Sequence, residues 1–267
     1  MSTLQIKKEN FYYSVKLSRP EKHNAFNPEM IAELTEFFKH VDSDKFTGAV
    51  LLTGSGSSFC TGADLQWMQS MAKFNYEENR ADAERLFNMF ETISQCNLPI
   101  ISYVHGHVFG GGVGLMSVSD VVIAEANTKF SFSEVKLGIS PAVISSFILR
   151  KMNKNKANEY MITGRTFDAE AAHRAGLVEF VGRELEVQQY LKDTLEHVRM
   201  SGPEAVRETK KLIRYLQTAS PSQVKSKSID VIAERRVSDE GQEGLKSFFD
   251  KRKPSWIWNV SDEPKTT

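Results

Sequence analysis

Three short segments carry residue types suited to carbonyl chemistry. Phe59-Cys60-Thr61-Gly62-Ala63-Asp64-Leu65 follows an apolar strand and a Gly/Ser-rich loop and leads into a helix containing Trp67, Met68 and Met71. Gly62 and Ala63 are small, so a ligand can approach the backbone closely. Asp64 is placed to cap the helix. Gly110-Gly111-Gly112-Val113-Gly114 sits at a strand-to-helix turn. It exposes N–H groups at a helix start, where the dipole favours developing negative charge. The N–H groups of Ala63 and Gly111 can converge on one carbonyl oxygen. Such a pair holds the enolate formed when a thioester loses its α-proton, and each donor lowers the barrier by roughly 2.7–4 kcal/mol. The third segment is Ser133-Glu134-Val135-Lys136-Leu137-Gly138, with one carboxylate among apolar residues.

Each segment also has a plain structural reading. Gly62 can simply permit a turn, the glycine run can let a small-faced helix pack on a sheet, and Glu134 can pair with Lys136 on one face of a strand. The glycine run is not a phosphate loop, because no Gly-Lys-Ser/Thr follows and the G-x-G-x-x-G spacing is missing. Cys60 has no visible His partner and reads as a small buried residue.

The elements around these segments alternate. LQIKK and YYSVKL within residues 3–17 read as strands broken by a Glu9-Asn10 turn. Met30, Ile31, Leu34, Phe37 and Phe38 recur at helical spacing. GAVLLTG (48–54), PIISYV (99–104) and DVVIAEA (120–126) read as apolar strands. The helix Tyr76–Cys96 is amphipathic, with Leu86, Phe90 and Ile93 in its apolar stripe. Residues 1–182 therefore predict an α/β core domain. Residues 183–267 predict a helical region, with helices over Glu184–Met200, Pro203–Gln217, Pro221–Arg236 and Asp239–Lys251.

Composition narrows the function classes. Among 267 residues, Lys+Arg and Asp+Glu both number 34, so no net field favours nucleic acid. Two cysteines and six scattered histidines argue against a zinc site and suit a reducing compartment. No signal-peptide core opens the chain, and no apolar run approaches the ~20 residues of a spanning helix. The expectation is a cytoplasmic protein away from the membrane.

FCTGADLQWM, VHGHVFGGGVGL, SFSEVKLGISPAVIS and TGRTFDAEAAHRAGLV occur in that order, opened by LSRPEKHNAFN and closed by EGLKSFFDKRKPSW. Together they resemble the crotonase (enoyl-CoA hydratase/isomerase) superfamily over nearly the whole chain. The resemblance implies an α/β spiral of ββα units with a helical C-terminal region that builds a homotrimer, or a hexamer as a dimer of trimers. It implies an acyl-CoA thioester substrate, with coenzyme A as part of that substrate and no separate cofactor or metal. Lys22, Asn24, Ala25, Gly62, Asp64, Leu65, Trp67, Gly110 and Pro141 would contact the substrate or its CoA, and Phe248 and Lys251 would touch the CoA of an adjacent subunit. The thioester oxygen would sit between the N–H groups of Ala63 and Gly111, with Glu134 as the catalytic acid/base.

Hydratases of this family carry two glutamates. The second aligns with Glu134, and the first falls on Gly114, which has no side chain. One glutamate can still activate water against a 2-enoyl thioester, or move a proton from the α- to the γ-carbon of a 3-enoyl thioester. GADLQWM, GGGVGL and SEVKLGISPAVIS are similar to methylglutaconyl-CoA hydratase-like enzymes, which ranks hydration first and double-bond isomerisation second. A non-catalytic acyl-CoA-binding scaffold is the third alternative. His107, Ser117 and Ser140 are conceivable helpers. Lys73, Arg80 and Arg85 lie where a substrate with a distal carboxylate would want a cation. Trp256 and Trp258 read as a tail anchor.

Overall fold

The computed structural model describes residues 2–44 and 47–257. Strands β1 (Leu4–Lys8) and β2 (Tyr12–Leu17) form an antiparallel hairpin, closed where the Glu9 amide donates to the Tyr12 carbonyl at 2.9 Å. Helix α1 (Pro28–His40) starts at Asn27, whose side chain accepts the Met30 amide, with Pro28 in the first turn where its missing N–H is not needed. Its buried Met30, Ile31, Leu34 and Phe38 face the core. There follow β3 (Ala49–Gly54), α2 (Leu65–Met71), α3 (Tyr76–Gln95), β4 (Ile100–Val104), β5 (His107–Phe109) and α4 (Gly111–Ser117). Next come β6 (Val121–Glu125), β7 (Lys129–Ser131), α5 (Ala142–Lys151), α6 (Lys154–Thr163), β8 (Phe167–Asp168), α7 (Ala169–Arg174) and β9 (Phe180–Gly182).

The strands divide between two sheets. Six run in the order β1-β2-β3-β4-β6-β9, all parallel from β2 onward, and three form a small sheet in the order β5-β7-β8. Consecutive strands β4 and β5, and again β6 and β7, leave one sheet for the other. The chain thus winds as repeated two-strand turns with helices between them, the expected spiral. β-branched and aliphatic residues fill both faces of the parallel strands, because helices cover both.

Four further helices complete the described chain: α8 (Glu184–Met200), α9 (Pro203–Leu216), α10 (Pro221–Val237) and α11 (Asp239–Phe249). α8 follows β9 and buries Val187 and Leu195 against Ala49, Leu51, Ile101 and Ile123 on the second sheet face. In packing it belongs with the sheet, although it lies beyond residue 182. α9 docks through cations. Arg207 donates to the Thr47 carbonyl at 3.0 Å, Lys210 to the Leu98 carbonyl at 2.7 Å, and Arg214 to the Cys96 carbonyl at 3.1 Å. These positions share one helix face and satisfy carbonyls at loop ends. Trp256 does anchor the tail: its ring lies over Gly244 and its N–H donates to the Met200 carbonyl at 3.3 Å. Trp258 lies outside the described residues. Among them, no helix is long and apolar enough to cross a membrane.

Two differences from the sequence reading matter for the site. Glu134 stands in a 3-10 turn, Ser133–Leu137, closed by Gly138 at φ +75°, rather than on a strand. A left-handed glycine stops that turn and re-aims the chain. The glycine run, in turn, is needed for packing. A Cβ on Gly112 would lie 2.2 Å from the Cys60 carbonyl oxygen, so α4 approaches the 59–63 loop closer than any side chain allows. Gly112→Ala is therefore expected to cost about 1–3 kcal/mol of stability. Thermal unfolding checks this, and an unchanged midpoint would contradict the close approach.

Candidate active site

The 59–63 loop, the start of α4 and the Glu134 turn meet at one place. Cys60 pairs with Val108 as an isolated parallel bridge, and Phe26 pairs with Ala63 as another. In the second bridge the Phe26 amide donates to the Gly62 carbonyl at 2.7 Å, and the Asp64 amide donates to the Phe26 carbonyl at 2.8 Å. In a trans peptide, C=O and N–H point in opposite directions. With the Gly62 carbonyl turned toward Phe26, the Ala63 N–H points away from it. Gly62 holds this turn at φ +90°, a conformation side-chain-bearing residues rarely adopt.

The second donor arises the same way. The Gly110 carbonyl accepts from the Val113 amide at 2.9 Å and the Gly114 amide at 3.2 Å, inside the first turn of α4. The Gly111 N–H on the same peptide therefore points out of the helix start. Gly110 adopts φ +48° and ψ −120°, which glycine alone tolerates well. The two segments abut: a Cβ on Gly62 would sit 3.6 Å from the Gly111 nitrogen. Among the described residues, neither amide donates to a backbone carbonyl.

Glu134 completes the cluster. A Cβ on Gly110 would lie 3.1 Å from its Oε1 and 3.5 Å from its Cδ, so the carboxyl rests against the open face of that glycine. Oε2 is buried without a hydrogen-bond partner. Burial pushes the Glu134 carboxyl above the ordinary glutamate range, because the lost hydration outweighs the backbone hydrogen bond from its own residue. Two outward N–H groups beside a half-buried carboxyl with one unpaired oxygen can bind a carbonyl oxygen and move a proton next to it.

The position of a second carboxylate is filled with hydrocarbon. A Cβ on Gly114 would lie 2.4 Å from Ile144 Cγ2 and 3.1 Å from Phe90 Cζ. Gly114 is buried one turn along α4 from Gly110, and a side chain there would run into α5 and α3 rather than open space. Phe90 packs edge-on to Phe26 at 6.2 Å and is tilted against Phe147 at 5.8 Å. The stripe of α3 is thus core that walls this side of the site.

Other expected site residues fall into distinct groups. Gly62, Asp64, Gly110 and the Ala25 backbone lie at the cluster, and buried Pro141 caps α5 just after the Glu134 turn. Asn24 is buried, but its carboxamide donates to the Ser55 and Ser58 carbonyls at 2.7 and 2.8 Å, so it holds loops together. Trp67 belongs to the hydrophobic core. Lys22 and Leu65 are exposed. Phe248 is 76% exposed and Lys251 is exposed, with α11 packed on α9 and α10. Of the conceivable helpers, Ser117 donates to the Val113 carbonyl at 2.6 Å within its own helix, and His107 and Ser140 are exposed. Among the distal cations, Arg85 is engaged by buried Asp82 at 2.7 Å, and Lys73 and Arg80 are exposed. Cys60 is buried, which pushes its thiol up to about 12 and leaves it inert as a nucleophile. No group of three metal-ligating side chains occurs among the described residues.

Arg19 escaped the sequence reading. It donates to Asp64 at 2.7 Å and to the Ala25 carbonyl at 2.5 Å, and both partners flank the Phe26–Ala63 bridge. Its only signal was position, two residues past a strand and just before Pro20. The packing of Ile144 against Gly114 escaped it too, because that contact joins α4 to α5.

Comparison with known proteins identifies the family. The family model for enoyl-CoA hydratase/isomerase matches residues 7–259. A Mycobacterium leprae protein described as a probable enoyl-CoA hydratase is 32% identical over 249 residues, covering 91% of this chain and 93% of its own. A mevalonyl-coenzyme A hydratase of Aspergillus fumigatus is 31% identical over 254 residues, covering 90% and 89%. The crystal structure of an enoyl-CoA hydratase from Shewanella pealeana superposes with a TM-score of 0.91 at 34% identity, covering 95% of this chain and 96% of the other. The chain belongs to the enoyl-CoA hydratase/isomerase family.

Proposed function

We propose that this enzyme binds a 2-enoyl-CoA thioester with its carbonyl oxygen between the N–H groups of Ala63 and Gly111, and adds water with Glu134 as sole acid/base. The observation that carries this reading is the Glu134 carboxyl, half-buried against Gly110 with Oε2 unpaired, beside the outward Gly111 N–H. As carboxylate, Glu134 takes a proton from water while the oxygen attacks the β-carbon. Electron density moves onto the thioester oxygen, where two N–H donors hold the enolate. The protonated glutamate then returns its proton to the α-carbon, so the cycle closes with one acid/base.

The filled space at Gly114 favours a second reading. With Ile144 and Phe90 opposite, a water has one carboxylate to hold it, and the same group can instead shuttle a proton from the α- to the γ-carbon of a 3-enoyl thioester. A methyl-branched substrate of the methylglutaconyl class fits the sequence resemblance and the mevalonyl-coenzyme A hydratase among the relatives. Lys22, Leu65 and Pro141 are proposed CoA and acyl contacts. A trimer or dimer of trimers, in which Phe248 and Lys251 meet a neighbour's CoA, would cover the exposed Phe248 and Phe249.

Incubation with crotonyl-CoA, 3-methylglutaconyl-CoA and a 3-enoyl-CoA in heavy water, read by mass spectrometry, separates the readings. Hydration gives the mass of water plus deuterium, and isomerisation gives the conjugated 2-enoyl isomer, separated by retention time, with no water added. Thioester binding without either leaves a non-catalytic scaffold. Glu134→Gln is expected to lower kcat by at least about 100-fold with little change in acyl-CoA affinity. An unchanged rate would remove Glu134 from the chemistry. Because the carboxylate is the base and burial raises its pKa, kcat/KM should fall with decreasing pH through an apparent pKa above 4.5. An acid limb at or below that value would contradict the burial argument.

A further inference from the structure

Between β2 and α1, the loop that carries Arg19 to Ala25 runs beside the Ala63 peptide. The Arg19 guanidinium spans it: one terminal nitrogen donates to the Ala25 carbonyl at 2.5 Å and the other to Asp64 Oδ2 at 2.7 Å. Ala25 precedes Phe26, and Asp64 follows Ala63. The two contacts therefore join both strands of the bridge in which Phe26 takes the Gly62 carbonyl and leaves the Ala63 N–H facing outward. Side-chain exposure is 15% for Arg19 and 4% for Asp64, so water competes little for this pair. Burial alone would raise the Asp64 carboxyl, but the Arg19 hydrogen bond and the Gln66 amide bring it below the ordinary aspartate range. The Arg19 backbone is itself fixed, its amide donating to Asn24 Oδ1 at 2.9 Å and its carbonyl accepting from the Lys22 and Asn24 amides, both at 2.9 Å.

We infer that Arg19 is a positioning residue for catalysis, whose planar fork locks the direction of the Ala63 N–H toward the thioester oxygen. The inference rests on the oxyanion role proposed for Ala63. A guanidinium suits the task because it reaches a carboxylate and a carbonyl at once with rigid geometry, which a single ammonium does not. Misdirecting one amide weakens binding of the enolate more than binding of the ground-state thioester, so kcat should fall while KM moves little.

The test uses the full-length enzyme and a chromophoric dimethylaminocinnamoyl-CoA thioester, whose absorbance shifts to the red when its carbonyl is polarised. Arg19→Met should bind the probe within about 3-fold of the wild-type affinity, lose most of the red shift, and lower kcat on the order of 10–100-fold. Arg19→Lys keeps the charge toward Asp64 without the second nitrogen and should fall between. Asp64→Asn retains helix capping but removes the charge, and should lower the red shift and kcat without loss of fold. A red shift and kcat within 2-fold of wild type in these variants would overturn the assignment while leaving the oxyanion reading intact. A wild-type enzyme that binds the probe with no red shift would overturn that reading, and this inference with it.

Discussion

Peptide polarity governs this site. A trans peptide points its carbonyl and its N–H in opposite directions, so satisfying one end aims the other. The protein engages the carbonyls of Gly62 and Gly110 internally, the first with the Phe26 amide and the second with the first turn of α4. The N–H groups of Ala63 and Gly111 then face outward and are already oriented before any ligand arrives. Preorganised donors of this kind need no rearrangement as charge develops. The surrounding requirements follow from that arrangement. Gly62 and Gly110 must take positive φ, Gly112 must let α4 press on Cys60, and the Arg19 loop must stay fixed.

The carboxyl is held by a different balance. Glu134 stands in a short 3-10 turn between β7 and α5, with Oε2 buried and no hydrogen-bond partner. An uncompensated buried polar group costs stability, which structures outside functional sites generally avoid. Here the cost leaves a carboxyl whose proton affinity is raised and whose Oε2 has no protein partner. On the opposite side, Ile144 and Phe90 occupy the space a side chain at 114 would need. The missing second glutamate is thus accommodated by close packing and leaves no void to be filled by water. On the proposed reading, with Glu134 as acid/base, the chemistry must therefore close with a single proton carrier.

Much of this was legible in the chain. Apolar β-branched runs marked β3, β4 and β6, and helical spacing marked α1, α3 and the four C-terminal helices to within about two residues at each end. The glycine run announced a close approach, and Gly62 with Ala63 announced a second. Besides Arg19 and the Ile144 contact with Gly114, three things were not legible. The short strands β5, β7, β8 and β9 hold two or three residues each and depend on tertiary pairing. The 3-10 turn at Glu134 is set by Gly138 and by α6 packing beside it, so local sequence suggested a strand instead. Asn24 and Trp67 sat inside motif-bearing segments, yet the structure spends one on loop carbonyls and the other in the core. Proximity in sequence to a functional loop does not say which way a side chain turns.

The central claim is geometric: two main-chain amides share one thioester oxygen with a lone carboxyl over the adjacent carbons. A crystal structure of the enzyme with a bound acyl-CoA tests it directly. The thioester oxygen is expected within about 2.7–3.2 Å of both the Ala63 and Gly111 nitrogens, with the Glu134 carboxyl against the α- and β-carbons. A thioester oxygen contacting neither amide, or a Glu134 carboxyl turned away from the acyl chain, would contradict it.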